Sequence, residues 1–173
     1  MKIGLVCHGN IARSQILHHY LVQYAAEAGW ALEVFSCGTA PEEAYPNAAE
    51  LLDQVQHELD RRGVHGRVTR NVLDRPALDE LRKAQRVLVA DRAIRDDIQQ
   101  AFTHKEEREK VWLFYECIGE GAKDFVDTYD PQNHAQDPAR FSACFDELER
   151  IASRIVEQAR MQGSPWHRLL PKS

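Results

Sequence analysis

Apolar positions along the chain follow two periods. Ile3-Gly4-Leu5-Val6, Val87-Leu88-Val89-Ala90 and Val111-Trp112-Leu113-Phe114 are short apolar runs, and Leu32-Glu33-Val34-Phe35 alternates. Such segments predict four strands of a covered sheet. Between them the spacing is helical. Ile16, Leu17, Tyr20, Leu21, Tyr24, Ala25 and Ala28 recur at helical intervals up to Gly29, and Leu51, Leu52, Val55 and Leu59 do so up to Gly63. Leu78 and Leu81 mark a short helix after Pro76, and another helix spans about Asp91 to Phe102. Asp137 followed by Pro138 is an N-cap and first-turn signal, and the helix it opens carries Phe141, Phe145, Leu148, Ala152, Ile155 and Ala159 on one stripe.

Strands alternating with helices predict an α/β fold of three layers, α/β/α, because right-handed crossovers lay helices on both faces of a four-stranded parallel sheet. In such sheets ligands bind beyond the carboxyl ends of the strands, and Cys7 ends the first one. The segment Ser36-Cys37-Gly38-Thr39 and the residues up to Pro46 read as a mobile or binding loop, and Lys105 to Lys110 as a solvated charged face.

With 173 residues, 43% hydrophobic and 28% charged, the chain suits one core, expected over residues 1–162, with a C-terminal tail at 163–173. The net charge of −5 gives no general basic field for nucleic acid or anionic lipid, so any anion site must be local. No apolar run approaches the roughly 20 residues of a membrane span, and the segment from Met1 to Cys7 is too short for a signal peptide. Cys7, Cys37, Cys117 and Cys144 form no C-x-x-C pair and show no metal-ligand spacing. Reduced thiols, a cytoplasmic location, no metal and a monomer or weak dimer are expected. The histidines (His18, His19, His57, His65, His104, His134, His167) are expected in solvent-exposed structural roles.

The chemistry concentrates in Cys7-His8-Gly9-Asn10-Ile11-Ala12-Arg13-Ser14, a C-x5-R-S segment set between a strand and a helix. Loop amides and the free amides of the first helical turn can converge there on one anion, helped by the positive helix end, which also favours a Cys7 thiolate. Arg13 can grip two phosphoryl oxygens at once, which lysine does less well. Gly9 permits close backbone approach, Asn10 tolerates the left-handed conformation, and Ser14 can donate to the sulfur. Such a match at a given cysteine arises by chance roughly once in a hundred. Cys144 and Arg150 make a second one, but Phe145-Asp146-Glu147-Leu148-Glu149 contains no glycine and lies in mid-helix, where no cradle can form. The plain alternative for Cys7 is a small hydrophobe at a strand end, and for Arg13 a surface charge.

Val6 to Ser14 resembles the signature of low-molecular-weight protein tyrosine phosphatases, which also begins within the first strand. Ser36-Cys37-Gly38-Thr39, Val89-Ala90-Asp91-Arg92 and Asp130-Pro131 resemble that family's second-strand exit, third-strand exit and general-acid loop. The resemblance implies hydrolysis of a phosphorylated protein or small phosphate ester through a phosphocysteine. Cys7 would be the nucleophile and Arg13 the phosphoryl ligand; His8, Gly9, Asn10, Ile11, Ala12 and Ser14 would form the phosphate loop. No cofactor is implied. Asp130 would be the acid, with Asp124 and Asp127 as rivals and Pro131 tipping the choice. Ser36 would hydrogen-bond Asn10.

The chain also departs from the family. Ala12 stands where many members carry a second cysteine, and Gln15 stands where a proline is common. Gln132 replaces the aromatic after Asp-Pro, leaving Tyr45 to supply a wall if it is not simply an exposed loop tyrosine. No counterpart of the family's buttressing histidine is evident around Arg67-Val68-Thr69-Arg70. Two alternatives stand beside the phosphatase. One is an arsenate reductase on the same scaffold, which needs further cysteines that Ala90-Asp91-Arg92-Ala93-Ile94 lacks. The other is a phosphate or phosphopeptide binder without turnover.

Overall fold

A computed structural model describes residues 1–161 and Trp166. In it β1 (Lys2–Cys7), β2 (Glu33–Gly38), β3 (Arg86–Val89) and β4 (Val111–Leu113) form one parallel sheet in the order β2-β1-β3-β4. Ile3, Leu5, Val6, Val87, Leu88 and Val89 have no exposed surface. Burying each such side chain contributes about 1.5–3 kcal/mol, which is why these short runs settle as inner strands.

Helices cover both faces. α1 (Arg13–Glu27) packs on β1, β2 and α6 (Pro138–Arg160). On the other side α3 (Arg75–Lys83) contacts β1 and β2, and α4 (Arg92–Ala101) contacts β3 and β4. α2 (Ala48–Arg61) buries Leu51, Val55 and Leu59, three of the four positions its sequence periodicity marks, and leaves Leu52 partly exposed. The charged stretch beyond α4 coils into the short α5 (Lys105–Glu109), with no buried residue. Asp137 caps α6 by accepting from the amides of Ala139 and Arg140, both at 3.0 Å.

The segment between β4 and α6 holds structure that its sequence pattern did not announce. A small antiparallel hairpin, β5 (Tyr129–Asp130) and β6 (Ala135–Gln136), is tied at its base by the Asp137 amide donating to the Thr128 carbonyl at 2.7 Å. Trp166 is 1% exposed and donates its Nε1 to the Cys117 carbonyl at 2.9 Å, so the core takes in a residue of the expected tail. The rest of that tail, with His167, lies outside the described residues. His19 is buried, against the expectation of an exposed histidine, because the His65-Gly66 turn folds over its ring. Among the described residues no helix is long and apolar enough to cross a membrane.

β1 sends its crossover to one side of the sheet and β3 to the other, so the carboxyl ends of these neighbouring strands form the point where the connections diverge. Cys7 sits at the end of β1, and Asp91 follows the end of β3.

Candidate active site

The loop from Cys7 to Arg13 turns back over the end of β1. Asn10 adopts φ 51°, the left-handed region its short polar side chain tolerates. The Asn10 amide points at Cys7 Sγ from 3.2 Å, and Ser14 Oγ lies 3.0 Å from the same sulfur. Cys7 is 2% exposed, at the floor of this turn. Ala12, at the N-cap of α1, offers no side-chain cap, and no acidic residue occupies the first turn. The amides there are left to face an anion together with the positive end of the helix.

Strand β2 holds the loop from behind. The amides of Thr39 and Ala40 donate to the carbonyls of Cys7 (3.1 Å) and His8 (2.9 Å). At Gly38 an added Cβ would stand 2.7 Å from the Asn10 nitrogen and the His8 oxygen, so only glycine permits this approach. Arg70 is the buttress that its stretch of sequence did not reveal. Its Nε donates to the Gly9 carbonyl at 2.9 Å, and its other nitrogens reach the carbonyls of Ala40, Pro41 and Glu42. Four main-chain acceptors on two loops make it a clasp. Arg70→Ala is expected to lower kcat/KM by about tenfold through misplacement of the loop, and to speed proteolytic cutting of residues 39–46; limited proteolysis alongside kinetics checks both.

Arg13 is 3% exposed. Its Nη1 donates to Asp91 Oδ2 at 3.1 Å and to the Phe125 carbonyl at 3.3 Å, and its Nη2 to Asp127 Oδ2 at 2.6 Å. Burial alone would lower the Arg13 pKa, but the charges of Cys7, Asp127 and Asp91 raise it, so the guanidinium stays a cation. Asp91 also caps α4, accepting from the Ile94 amide at 3.0 Å. One oxygen thus anchors a helix and the other aims Arg13. Neither role was marked in the sequence, where Asp91 stood only as a strand exit.

The three candidate acids separate clearly. Asp124 is taken by Arg92, whose Nε and Nη2 and main-chain amide all donate to it within 3.1 Å. Asp130 turns onto its own hairpin, accepting from the Gln132 amide (2.9 Å) and from Asn133 Nδ2 (2.6 Å). These bonds hold its carboxyl below the usual carboxylate range, the reverse of what a proton donor needs. The structure does not bring Asp130 to Cys7 or Arg13: Asp-Pro is here a turn former. Asp127 alone of the three meets Arg13, and its Oδ1 accepts from the Tyr129 amide at 3.2 Å, which fixes its rotamer.

The same shift of three residues accounts for the aromatic wall. Gln132 lies on the hairpin turn, whereas Tyr129 follows Asp127 by two positions and packs on Tyr45 with ring centroids 4.8 Å apart. Tyr45 is 6% exposed, not an exposed loop tyrosine. Its hydroxyl lies 2.7 Å from His8 Nδ1, Arg70 stacks on its ring at 5.3 Å, and its ring leaves no space for a side chain at Gly9. Ile11, Ala40, Tyr45 and Leu51 form a separate apolar cluster beside the loop, with Tyr129 packed against it.

Ser36 does not bond Asn10. Gln15 stands between them, its Nε2 donating to Asn10 Oδ1 (3.0 Å), Ser36 Oγ (3.3 Å) and the Thr69 carbonyl (2.5 Å). The implied Ser36–Asn10 contact is displaced because the longer Gln15 amide fills the gap. Arg150, from the second C-x5-R match, pairs with Glu120 and Glu147 far along α6, while Cys144 is buried in the core.

A cysteine and an arginine gathered around an anion cradle at the end of β1 define a phosphate-handling site on a parallel α/β sheet. A profile of the low molecular weight phosphotyrosine protein phosphatase family matches residues 2–164, and the chain belongs to that family of cysteine-dependent phosphatases. Solved structures with the same fold include a YwlE arginine phosphatase C7S mutant with a phosphorylated active-site serine (TM-score 0.74, 21% identity, covering 94% of this chain and 98% of that one). Others are a low molecular weight phosphotyrosine phosphatase from Vibrio cholerae O395 (0.71, 19%, 94% and 99%) and Vibrio vulnificus Wzb in complex with benzylphosphonate (0.67, 22%, 90% and 97%). No curated protein matches the sequence.

Proposed function

We propose that the protein hydrolyses phosphotyrosine through a phosphocysteine, with Cys7 as nucleophile, Arg13 as phosphoryl ligand and Asp127, rather than Asp130, as general acid. The observation that carries this reading is the convergence on one loop of Cys7 Sγ, the Ser14 hydroxyl and Asn10 amide on that sulfur, and Asp127 joined to it through Arg13.

The phosphoryl group enters the cradle of loop and first-turn amides, and its oxygens take the guanidinium donors that otherwise go to Asp91 and Asp127. Asp127, released from Arg13, is then placed to act as general acid towards the leaving oxygen. Cys7 Sγ then attacks phosphorus, the P–O ester bond breaks, and its electron pair leaves on the ester oxygen, which receives the Asp127 proton. In the second half a water attacks phosphorus, Asp127 takes its proton, and the S–P bond breaks to return the thiolate and free phosphate. The Ser14 hydroxyl stabilises the sulfur as leaving group. The apolar cluster of Ile11 and Tyr45, with the partly exposed Tyr129 packed against it beside the cradle, favours an aromatic ester over an aliphatic one. The absence of a cysteine from Ala90-Asp91-Arg92-Ala93-Ile94, just after β3, disfavours the arsenate reductase reading.

Wild-type protein is expected to release phosphate from phosphotyrosine and from p-nitrophenyl phosphate. Cys7→Ser should lose turnover by at least about 10⁴-fold while still binding vanadate or phosphate, as measured by calorimetry. Wild-type binding without turnover would leave the protein a phosphopeptide binder. A panel in which phosphoarginine or phosphoserine is hydrolysed faster than phosphotyrosine would overturn the substrate assignment.

A further inference from the structure

We propose that Gln15 is a positioning residue for the nucleophile: by fixing which way the Asn10 amide faces, it commits the Ser14 hydroxyl to donate its hydrogen to Cys7 Sγ. This rests on the reading of Cys7 as the attacking group.

The argument is one of hydrogen-bond polarity. Asn10 Oδ1 accepts from Gln15 Nε2 at 3.0 Å and from the Asn71 amide at 2.7 Å. Two donors on that oxygen leave Asn10 Nδ2 to face the other way, and it donates to Ser14 Oγ at 2.8 Å. Ser14 Oγ, occupied on one lone pair by Asn10, has its own hydrogen free for the sulfur 3.0 Å away. Reversing the Asn10 amide would place an oxygen against Ser14 Oγ, draw the hydroxyl hydrogen towards Asn10 and leave the thiolate facing a lone pair.

Gln15 is suited to prevent that reversal. It is 2% exposed, and its Nε2 hydrogens have acceptors in Asn10 Oδ1, the Thr69 carbonyl and Ser36 Oγ. The Thr69 carbonyl, a main-chain oxygen that can only accept, forces the donor end of the Gln15 amide inward. Polarity therefore reaches Asn10 from the 69–71 segment by two routes, directly from the Asn71 amide and from the Thr69 carbonyl through Gln15, and passes on through Ser14 to Cys7 without any charged group in the line.

Other titratable groups near this line come from several elements. His18, on α1, faces Ser36 Oγ at 3.3 Å; burial and neighbouring His19 bring its pKa down to about 4, so it stays neutral near and above neutrality. Arg13 with Asp91 and Asp127 lies on the far side of Cys7, Tyr45 and His8 stand at the rim, and Arg70 holds the Gly9 carbonyl. Burial, with the Cys7 charge adding to it, pushes the Cys37 thiol up to about 12, and burial raises Cys117 and Cys144 as well. Loss of alkylation in Cys7→Ser assigns the reacting thiol to Cys7.

The test is iodoacetamide inactivation of the whole protein as a function of pH, beside kcat and KM on p-nitrophenyl phosphate. In Gln15→Met, which keeps volume and removes the donor, alkylation near pH 6 should slow by about tenfold and recover to the wild-type rate near pH 9, with KM little changed. Gln15→Glu, which sets an acceptor against Asn10 Oδ1 and the Thr69 carbonyl, should shift the profile the same way and further. A rate unchanged in Gln15→Met, or lowered equally at all pH values, would overturn the proposal. Failure of both variants to fold would assign Gln15 to the fold and overturn it as well. Wild-type protein that is alkylated at Cys7 yet hydrolyses nothing would instead refute the proposed function, and the alkylation profiles would still judge Gln15.

Discussion

Asp127→Ala is expected to lower kcat on phosphotyrosine by about 10²- to 10³-fold, the contribution a positioned general acid makes, while Asp130→Ala stays within about threefold of wild type. The contrast should depend on the leaving group. With p-nitrophenyl phosphate, whose phenolate departs without much help, the loss in Asp127→Ala should shrink to about tenfold. Steady-state kinetics on both substrates for both variants checks the assignment, and equal losses at the two positions would refute it. The expectation follows from what each carboxylate touches. Asp127 meets the guanidinium that will hold the phosphoryl group, whereas Asp130 is spent on the Gln132 amide and Asn133 of its own turn. Asp127→Ala also removes an ion pair from a partly open position, so a small change in thermal stability is expected beside the kinetic one.

Arg13→Lys is expected to cost on the order of 10³-fold in kcat/KM although charge is kept, since an ammonium cannot offer two fixed parallel donors to the equatorial oxygens. The guanidinium donates from Nη1 to Asp91 and from Nη2 to Asp127, a fork that two phosphoryl oxygens can take over without moving the side chain. Lysine would satisfy one carboxylate and leave the other beside the thiolate. Weaker competitive inhibition by vanadate, measured with unchanged far-ultraviolet circular dichroism, separates loss of the fork from loss of the fold. A near-normal rate would contradict bidentate recognition.

The strands and the long helices were legible because they answer to local burial: Ile3 to Val6 and Val87 to Val89 are inner strands on any packing that covers them, and the 3.6-residue stripe on α6 has only one apolar face. The phosphate loop was legible for a related reason. Nucleophile, glycine, left-handed asparagine, arginine and helix start all lie within eight residues of chain, so their spacing dictates their meeting. The acid was not legible in the same way. Asp124, Asp127 and Asp130 are equivalent aspartates in a polar segment, and Asp-Pro has two physical uses, one in catalysis and one in turns. The hairpin, formed where Asp130 bends back on Gln132 and Asn133, takes the second use and moves the aromatic from the expected Gln132 to Tyr129.

What the amino-acid order determined by itself is the α/β architecture and the Cys7–Ser14 cradle, since both rest on interactions between residues near in sequence or on a periodicity that a single apolar face enforces. Only the tertiary structure decided which carboxylate faces Arg13, that Arg70 clasps the loop from 61 residues away, and that Gln15 rather than Ser36 holds Asn10. Those contacts join segments whose separation along the chain carries no record of their distance in space; they exist because the strand order β2-β1-β3-β4 brings four loop ends to one edge of the sheet, where polar side chains must find partners or lose hydration for nothing.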